Sequence, residues 1–189
     1  MEAEPIAIRI HGRGGQGSVT SAELMAQAAI SEGKYAQAFP SFGPERRGAP
    51  VKAFIRIDSS KPIRVRAGVV YPDIVVVLDP GLLDIVDVTS GLKENGMIVV
   101  NTRDSFEEIE QKFGSGYQFA TIDATGIARE FLGRPIVNTT MIGALVKATS
   151  VVELKSLFQP LEKRFGKLAE KNINAMKKAY AETKIKVKA

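Results

Sequence analysis

Apolar and polar positions follow two rhythms along this chain. Ile6-Ala-Ile-Arg-Ile10 is a short β-branched run closed by glycine, and Val19 to Ile30 is rich in Ala and Met, so the order predicts strand, glycine turn, helix. Gly33 stands where a helix C-terminal cap is expected, and Tyr35 to Phe39 reads as a second strand. Val51 to Ile57 and Pro62 to Arg66 alternate polar with apolar residues around Asp58-Ser-Ser-Lys61, which predicts an antiparallel hairpin. Asp73-Ile-Val-Val-Val-Leu78 and Met97-Ile-Val-Val100 are continuous apolar runs, the pattern of strands covered on both faces in a parallel sheet. Helical segments at Leu82 to Leu92 and Thr125 to Leu132, with a strand at Phe119 to Ile122, complete this part.

From Asn138 onward the pattern predicts helices alone: Thr139 to Ala148, Val151 to Phe158, and another with Pro160 in its first turn. Leu161, Phe165, Leu168, Asn172, Ala175 and Ala179 recur at three- and four-residue steps, a stripe that either packs on the chain's own sheet or docks on another subunit. The tail from Thr183 to Ala189 is expected to fray. The expected fold is α/β, a Rossmann-like three-layer sandwich with a mixed, mostly parallel sheet and a C-terminal helical extension. All 189 residues are expected to form one domain, with the α/β core in 1–149 and helices in 150–189.

Composition narrows the chemistry. The chain has no cysteine, so it forms no disulfide and cannot by itself ligate an iron–sulfur cluster through thiolates. Its one histidine, His11, is expected to end the first strand as a packed ring. No apolar run approaches the ~18 residues that span a bilayer, and the acidic start Met-Glu-Ala-Glu-Pro is wrong for a leader, so a cytoplasmic protein without membrane attachment is expected. The net charge of +5 is unevenly spread: residues 9–66 and 150–189 each carry ten Lys/Arg against four Asp/Glu, whereas residues 67–149 carry six against eleven. Both glycine-bearing segments described next lie in the first basic block, which favours an anionic ligand or an acidic partner surface.

Gly12, Gly14 and Gly17 of Gly12-Arg13-Gly14-Gly15-Gln16-Gly17 fit G-x-G-x-x-G between a strand and a helix. Amides at the helix start, with Ser18 and Thr20, would face an anion. A dinucleotide site also needs a carboxylate about 20 residues further on, and Gln37-Ala-Phe-Pro-Ser-Phe42 supplies none. The P-loop register fails as well, since no Lys-Ser or Lys-Thr pair follows the glycines. Anion site and packed turn both remain open. Phe42-Gly-Pro-Glu45-Arg46-Arg47-Gly48 is a stiff loop whose arginines could grip a phosphate or carboxylate, with Glu45 orienting one of them, or could form a solvated ion pair. Asp79, Asn101 and Asn138-Thr139-Thr140 follow apolar runs; Asp79 and Asn101 read as helix caps, and Asn138 as either a cap or a contact to the glycine loop. No Ser-His-Asp set and no acid–base pair beside a nucleophile emerges.

With these residues in place, the chain resembles the γ subunit, or γ domain, of 2-oxoacid:ferredoxin oxidoreductases over nearly its whole length. The matching segments are Gly12 to Gly17, Phe42 to Gly48, Asp73 to Asp79, Asn138-Thr-Thr-Met-Ile-Gly143, and Glu162-Lys-Arg-Phe-Gly166 with Glu170-Lys-Asn172. The resemblance implies an enzyme that decarboxylates a 2-oxoacid on thiamine diphosphate with Mg, passes two electrons through [4Fe-4S] clusters to ferredoxin, and transfers the acyl group to coenzyme A. It implies α, β and δ chains as partners: thiamine diphosphate lies between α and β, and a cysteine-rich δ chain carries clusters. This chain alone would bind no such cofactor. The candidate contacts, to coenzyme A phosphates or to partner chains, are Gly12, Arg13, Gly14, Gly15, Gln16, Gly17, Ser18, Glu45, Arg46, Arg47, Asn138 and Thr139. Arg46-Arg47-Gly48-Ala49-Pro50 is more similar to pyruvate and branched-chain members than to 2-oxoglutarate relatives, which tend to carry a second glycine in place of the alanine. Two other classes compete: a free-standing nucleotide-dependent enzyme, and a basic anion- or nucleic-acid-binding module, against which the lack of aromatic stacking platforms argues.

Overall fold

The computed structural model describes residues 4–41 and 47–187. Seven strands form one sheet: β1 (Ile6–Arg13), β2 (Tyr35–Pro40), β3 (Pro50–Asp58), β4 (Ile74–Val77), β5 (Met97–Asn101), β6 (Gln118–Ile122) and β7 (Lys184–Lys186), in the order β2-β3-β1-β4-β5-β6-β7. β1, β4, β5 and β6 are mutually parallel, while β3 runs against β1 and β2, and β7 against β6. The sheet is therefore mixed, with five strands pointing one way and two the other.

Alternating side chains supply both faces. Ile8, Ile10, Ile55, Val76 and Val99 meet a layer made by α1 (Ser18–Ser31), α3 (Ala124–Leu132), α4 (Asn138–Thr149), α5 (Phe158–Phe165) and α6 (Ala169–Glu182). Val75, Val77, Ile98, Val100 and Phe119 face the other way, under Ile109 of α2 (Phe106–Phe113) and Val88 and Leu92 of a turn-rich segment. The C-terminal helices thus pack within the chain, but on its inner helices rather than on the sheet itself: α6 lies against α3 and α4, and α5 against α1 and α6, with Leu161, Ala175 and Ala179 of the stripe joining the same core. Gly143 of α4 is the point of closest approach, since a Cβ there would run into the Met176 carbonyl of α6.

Several elements differ from the sequence expectation. The hairpin over 51–66 does not form: both edges of β3 are already paired, to β1 and to β2, so residues 62–66 have no ladder to join. The helix expected at 82–92 is instead a 3₁₀ turn at Pro80–Leu82 followed by irregular backbone. There the Asp87 carboxylate accepts from the amide and hydroxyl of Thr89, and the buried Arg9 guanidinium donates to the carbonyls of Val88 (3.0 Å) and Ser90 (2.6 Å), which takes them out of any helical ladder. The helix expected over 151–158 is a 3₁₀ turn at Leu154–Leu157 that leads into α5 at Phe158, after Ser150 halts α4 in the left-handed region. Gly166 (φ 51°) splits the striped C-terminal helix into α5 and α6. The tail is not frayed at Lys184–Lys186, which pairs with β6 as β7. α2 is a helix beyond the expected elements.

Candidate functional site at the glycine turn

β1 runs on to Arg13, so Gly12 lies inside the ladder and the turn proper begins at Gly14. The Gly14 amide donates to the Ala49 carbonyl (2.9 Å) and the Gly48 amide to the Gly14 carbonyl (3.1 Å), with a parallel bridge between Gly14 and Arg47. These bonds join the two glycine-bearing segments, thirty residues apart in sequence. Gly15 (φ 94°) and Gly17 (φ 82°) take the left-handed backbone that side chains disfavour. Gly17 is glycine for a second reason: a Cβ would sit 2.7 Å from Asn138 Nδ2. At Gly12 it would collide with Ser18 Oγ, which lies over that residue.

Asp79, at the end of the strand after β1 in space, clasps the turn. Its Oδ2 accepts from Arg13 Nε (2.9 Å) and Gln16 Nε2 (2.8 Å), and its Oδ1 caps the Gly81 amide (2.9 Å). Gln16 Oε1 in turn accepts from the Arg13 amide at 2.7 Å. Arg13 also reaches the carbonyls of Gly48 and Gly81, both at 3.3 Å. Arg13 and Gln16 are therefore spent on holding the turn, and Arg47, exposed beside it, is the loop's cation among the described residues.

Chain connections turn outward on either side of this point: β1 leads through α1 toward the β2 edge, while β4 leads toward β5 and β6. Open α/β sheets take ligands at such a divide, beyond the strand C-termini. α1 begins there with Gly17 as its N-cap, without a side-chain cap and without an acidic residue in its first turn. Its leading amides have no intrahelical acceptors. Ser18 Oγ and Asn138 Oδ1 are buried and have no hydrogen-bond partner among the described residues. Behind them Ser21 Oγ donates to the Asn138 carbonyl (3.3 Å), and Arg164 Nη2 of α5 reaches Thr20 Oγ1 at 3.4 Å.

The predicted residues separate accordingly. Gly12, Arg13, Gly14, Gly15, Gln16, Gly17, Ser18, Arg47 and Asn138 converge on the turn. Thr139 does not: its fully buried hydroxyl donates to Asn172 Oδ1 of α6 at 2.8 Å. Glu45 and Arg46 lie outside the described residues. Asn138 does not cap α4 and instead packs on Gly17, whereas Asn101 ties the Leu78 carbonyl to Thr125 at the head of α3 rather than capping the helix that follows it. His11 is a packed ring, 2% exposed, accepting from Arg9 Nε at 2.9 Å, and burial beside Arg9 and Lys52 pushes its pKa down to about 3. An imidazole held neutral in this way offers no acid catalysis at physiological pH.

A model of the family described as pyruvate ferredoxin/flavodoxin oxidoreductase matches residues 7–182. The chain belongs to this family. Among its relatives is the Pyrococcus furiosus "Pyruvate/ketoisovalerate oxidoreductases common subunit gamma", 53% identical over 95% of this chain and 98% of that one. The Methanothermobacter thermautotrophicus "Pyruvate synthase subunit PorC" is 56% identical over 94% of this chain and 95% of its own length. A crystal structure of pyruvate oxidoreductase subunit PORC from Thermotoga maritima superposes with a TM-score of 0.87 at 39% identity, covering 97% of this chain and 99% of that one. Matches that run end to end on gamma subunits make this chain a gamma-type member of the family.

Sequence reasoning missed Asp79 as the centre of the clasp and Arg164 as a cation near the head of α1. For Asp79 the usable signal was its place after a buried strand, at the same edge as the glycines. For Arg164 there was none, because its position depends on how α5 folds back on α1.

Proposed function

We propose that this chain serves as the γ subunit of a pyruvate, or related 2-oxoacid,:ferredoxin oxidoreductase, and that the turn at 12–18 with Arg47 receives the phosphates of coenzyme A. The observation that carries the site is the pair of buried oxygens, Ser18 Oγ and Asn138 Oδ1, without partners among the described residues at the uncapped head of α1. A buried polar atom without a partner costs about 1–3 kcal/mol, and a polar ligand at this helix start would supply Ser18 with an acceptor while the leading amides hold its charge. In this reading the reaction runs on other chains. α and β subunits hold thiamine diphosphate with Mg, a δ subunit holds [4Fe-4S] clusters, and ferredoxin takes the electrons; this chain lacks the cysteines such clusters need. Pyruvate is the first-choice oxoacid and 2-oxoisovalerate the second. Relatives named as common to pyruvate and ketoisovalerate enzymes support a γ chain that does not select the oxoacid.

The test is steady-state kinetics of the assembled enzyme carrying Ser18→Ala or Arg47→Ala. The KM for coenzyme A is expected to rise about tenfold, with the KM for the oxoacid unchanged and the complex intact by native mass measurement. An unchanged KM for coenzyme A in both variants would leave the turn a packing element and end this assignment.

A further inference from the structure

The sheet has two edges, and only one is protected. β7 is three residues long and carries Lys184 and Lys186, the kind of short, charged strand that resists pairing with another chain. β2 is six residues long, Tyr-Ala-Gln-Ala-Phe-Pro, without a charge in it. The Ser41 amide donates to the Lys52 carbonyl, so that pair is hydrogen-bonded, and by the two-residue period Tyr35, Gln37 and Phe39 also point their amides and carbonyls at β3. The alternate residues face outward: Ala36 and Ala38 present an amide and a carbonyl each, and Pro40, which has no amide to waste, a carbonyl.

A groove of about 560 Å³ runs along this edge between β2 and α1, lined by Ala26, Ile30, Ala36 and Ala38, with Glu23 and Arg66 as its charged residues. Ile30 is 57% exposed there. The small side chains of Ala36 and Ala38 leave room for larger apolar ones from an incoming strand. Beyond the edge, the irregular arm of residues 59–71 is pinned to β2 by Gln37 Nε2 donating to the Ile63 carbonyl (2.7 Å) and exposes Val65 between Arg64 and Arg66. Neither arginine makes an ion pair among the described residues.

We propose that the outer edge of β2 receives an extended, carboxylate-bearing segment of another subunit of the oxidoreductase as an eighth strand, its apolar side chains in the groove beside α1 and its acid on Arg64 or Arg66. A second copy of this chain fits less well, because edge-to-edge pairing of two copies brings both sets of unpaired arginines to one junction. The inference rests on the reading of this chain as a subunit. The test compares amide hydrogen exchange in the isolated chain and in the assembled oxidoreductase. The amides of Ala36 and Ala38 are expected to exchange freely in the isolated chain and to slow by more than about tenfold on assembly, while those of Gln37 and Phe39 are protected in both. Arg66→Glu is expected to weaken assembly about tenfold with the thermal unfolding of the isolated chain unchanged. Unchanged exchange at Ala36 and Ala38 within an intact complex overturns the proposal and leaves the subunit reading standing. Protection that grows with the concentration of the isolated chain overturns it in favour of a second copy. Failure of the wild-type chain to enter any complex removes the subunit reading and the proposal with it.

Discussion

Asp79 holds the mouth of the glycine turn through one carboxylate shared by three donors, on Arg13, Gln16 and Gly81. Its side chain is 21% exposed and that of Arg13 31%, so water screens the ion pair and the hydrogen bonds carry most of its worth. Asp79→Ala is expected to cost about 1–2 kcal/mol in urea unfolding; a loss below about 0.3 kcal/mol would show that the turn keeps its shape unaided. His11 makes a different kind of prediction. In the unfolded chain its imidazole takes a proton below about pH 6.5, while in the native chain it stays neutral down to about pH 3. Its contribution is thus fully present above the unfolded value and is lost as pH falls toward the native one. Between pH 7 and pH 5 the wild-type chain is expected to lose about 2 kcal/mol from this group, and His11→Gln to lose less by about that amount, read from urea midpoints at the two pH values. Equal losses in both proteins would mean that Arg9, Lys52 and Asp87, the charges around the ring, rearrange on acidification.

Helices α4 and α6 cross so closely at Gly143 that any side chain there meets the Met176 carbonyl. Backbone cannot swing aside as a flexible side chain can, so Gly143→Ala is expected to destabilise the chain by about 3 kcal/mol, and near-neutral unfolding would show that the helix pair slides apart cheaply. Elements with an internal signal were legible before the fold was known: the two-sided apolar runs at β4 and β5, the Ala-rich α1, and the α4 region. Two of the failures turn on tertiary contacts. Residues 62–66 alternate as a strand does, yet the ladder they needed was occupied by β1 and β2; residues 82–92 have helical composition, yet Arg9 binds their carbonyls from below. The first is a tertiary effect with no local trace, whereas the second also has a local part, the Asp87 carboxylate that takes the Thr89 amide. α2 is the exception, because Ser105 and Glu108 form a capping box that was readable in the sequence. At the site, the glycines and the Asn138 contact could be anticipated from strand-end position, whereas Thr139, one residue on, turns to α6 by helical geometry.

Across the whole molecule the charge is segregated as well as unequal. Several carboxylates of the acidic middle stretch are neutralised within the fold, Asp104 by Lys112, Asp123 by Arg103 and Glu110 by Lys186. The first basic block instead leaves Arg64 and Arg66 at the β2 end of the sheet without ion-pair partners among the described residues. An uncompensated basic end draws an acidic partner through water over roughly a Debye length, about 10 Å at 0.1 M salt and 3 Å at 1 M. Association with the remaining subunits is therefore expected to slow about tenfold between about 0.05 M and 0.5 M salt, while dissociation, set by apolar burial and strand pairing, changes little. Stopped-flow mixing of the chain with a complex lacking it measures both rates. Replacing Arg64 and Arg66 with Gln should flatten the salt dependence of association without altering the unfolding of the chain alone; a wild-type rate already indifferent to salt would mean that contact area, not charge, guides this subunit into place.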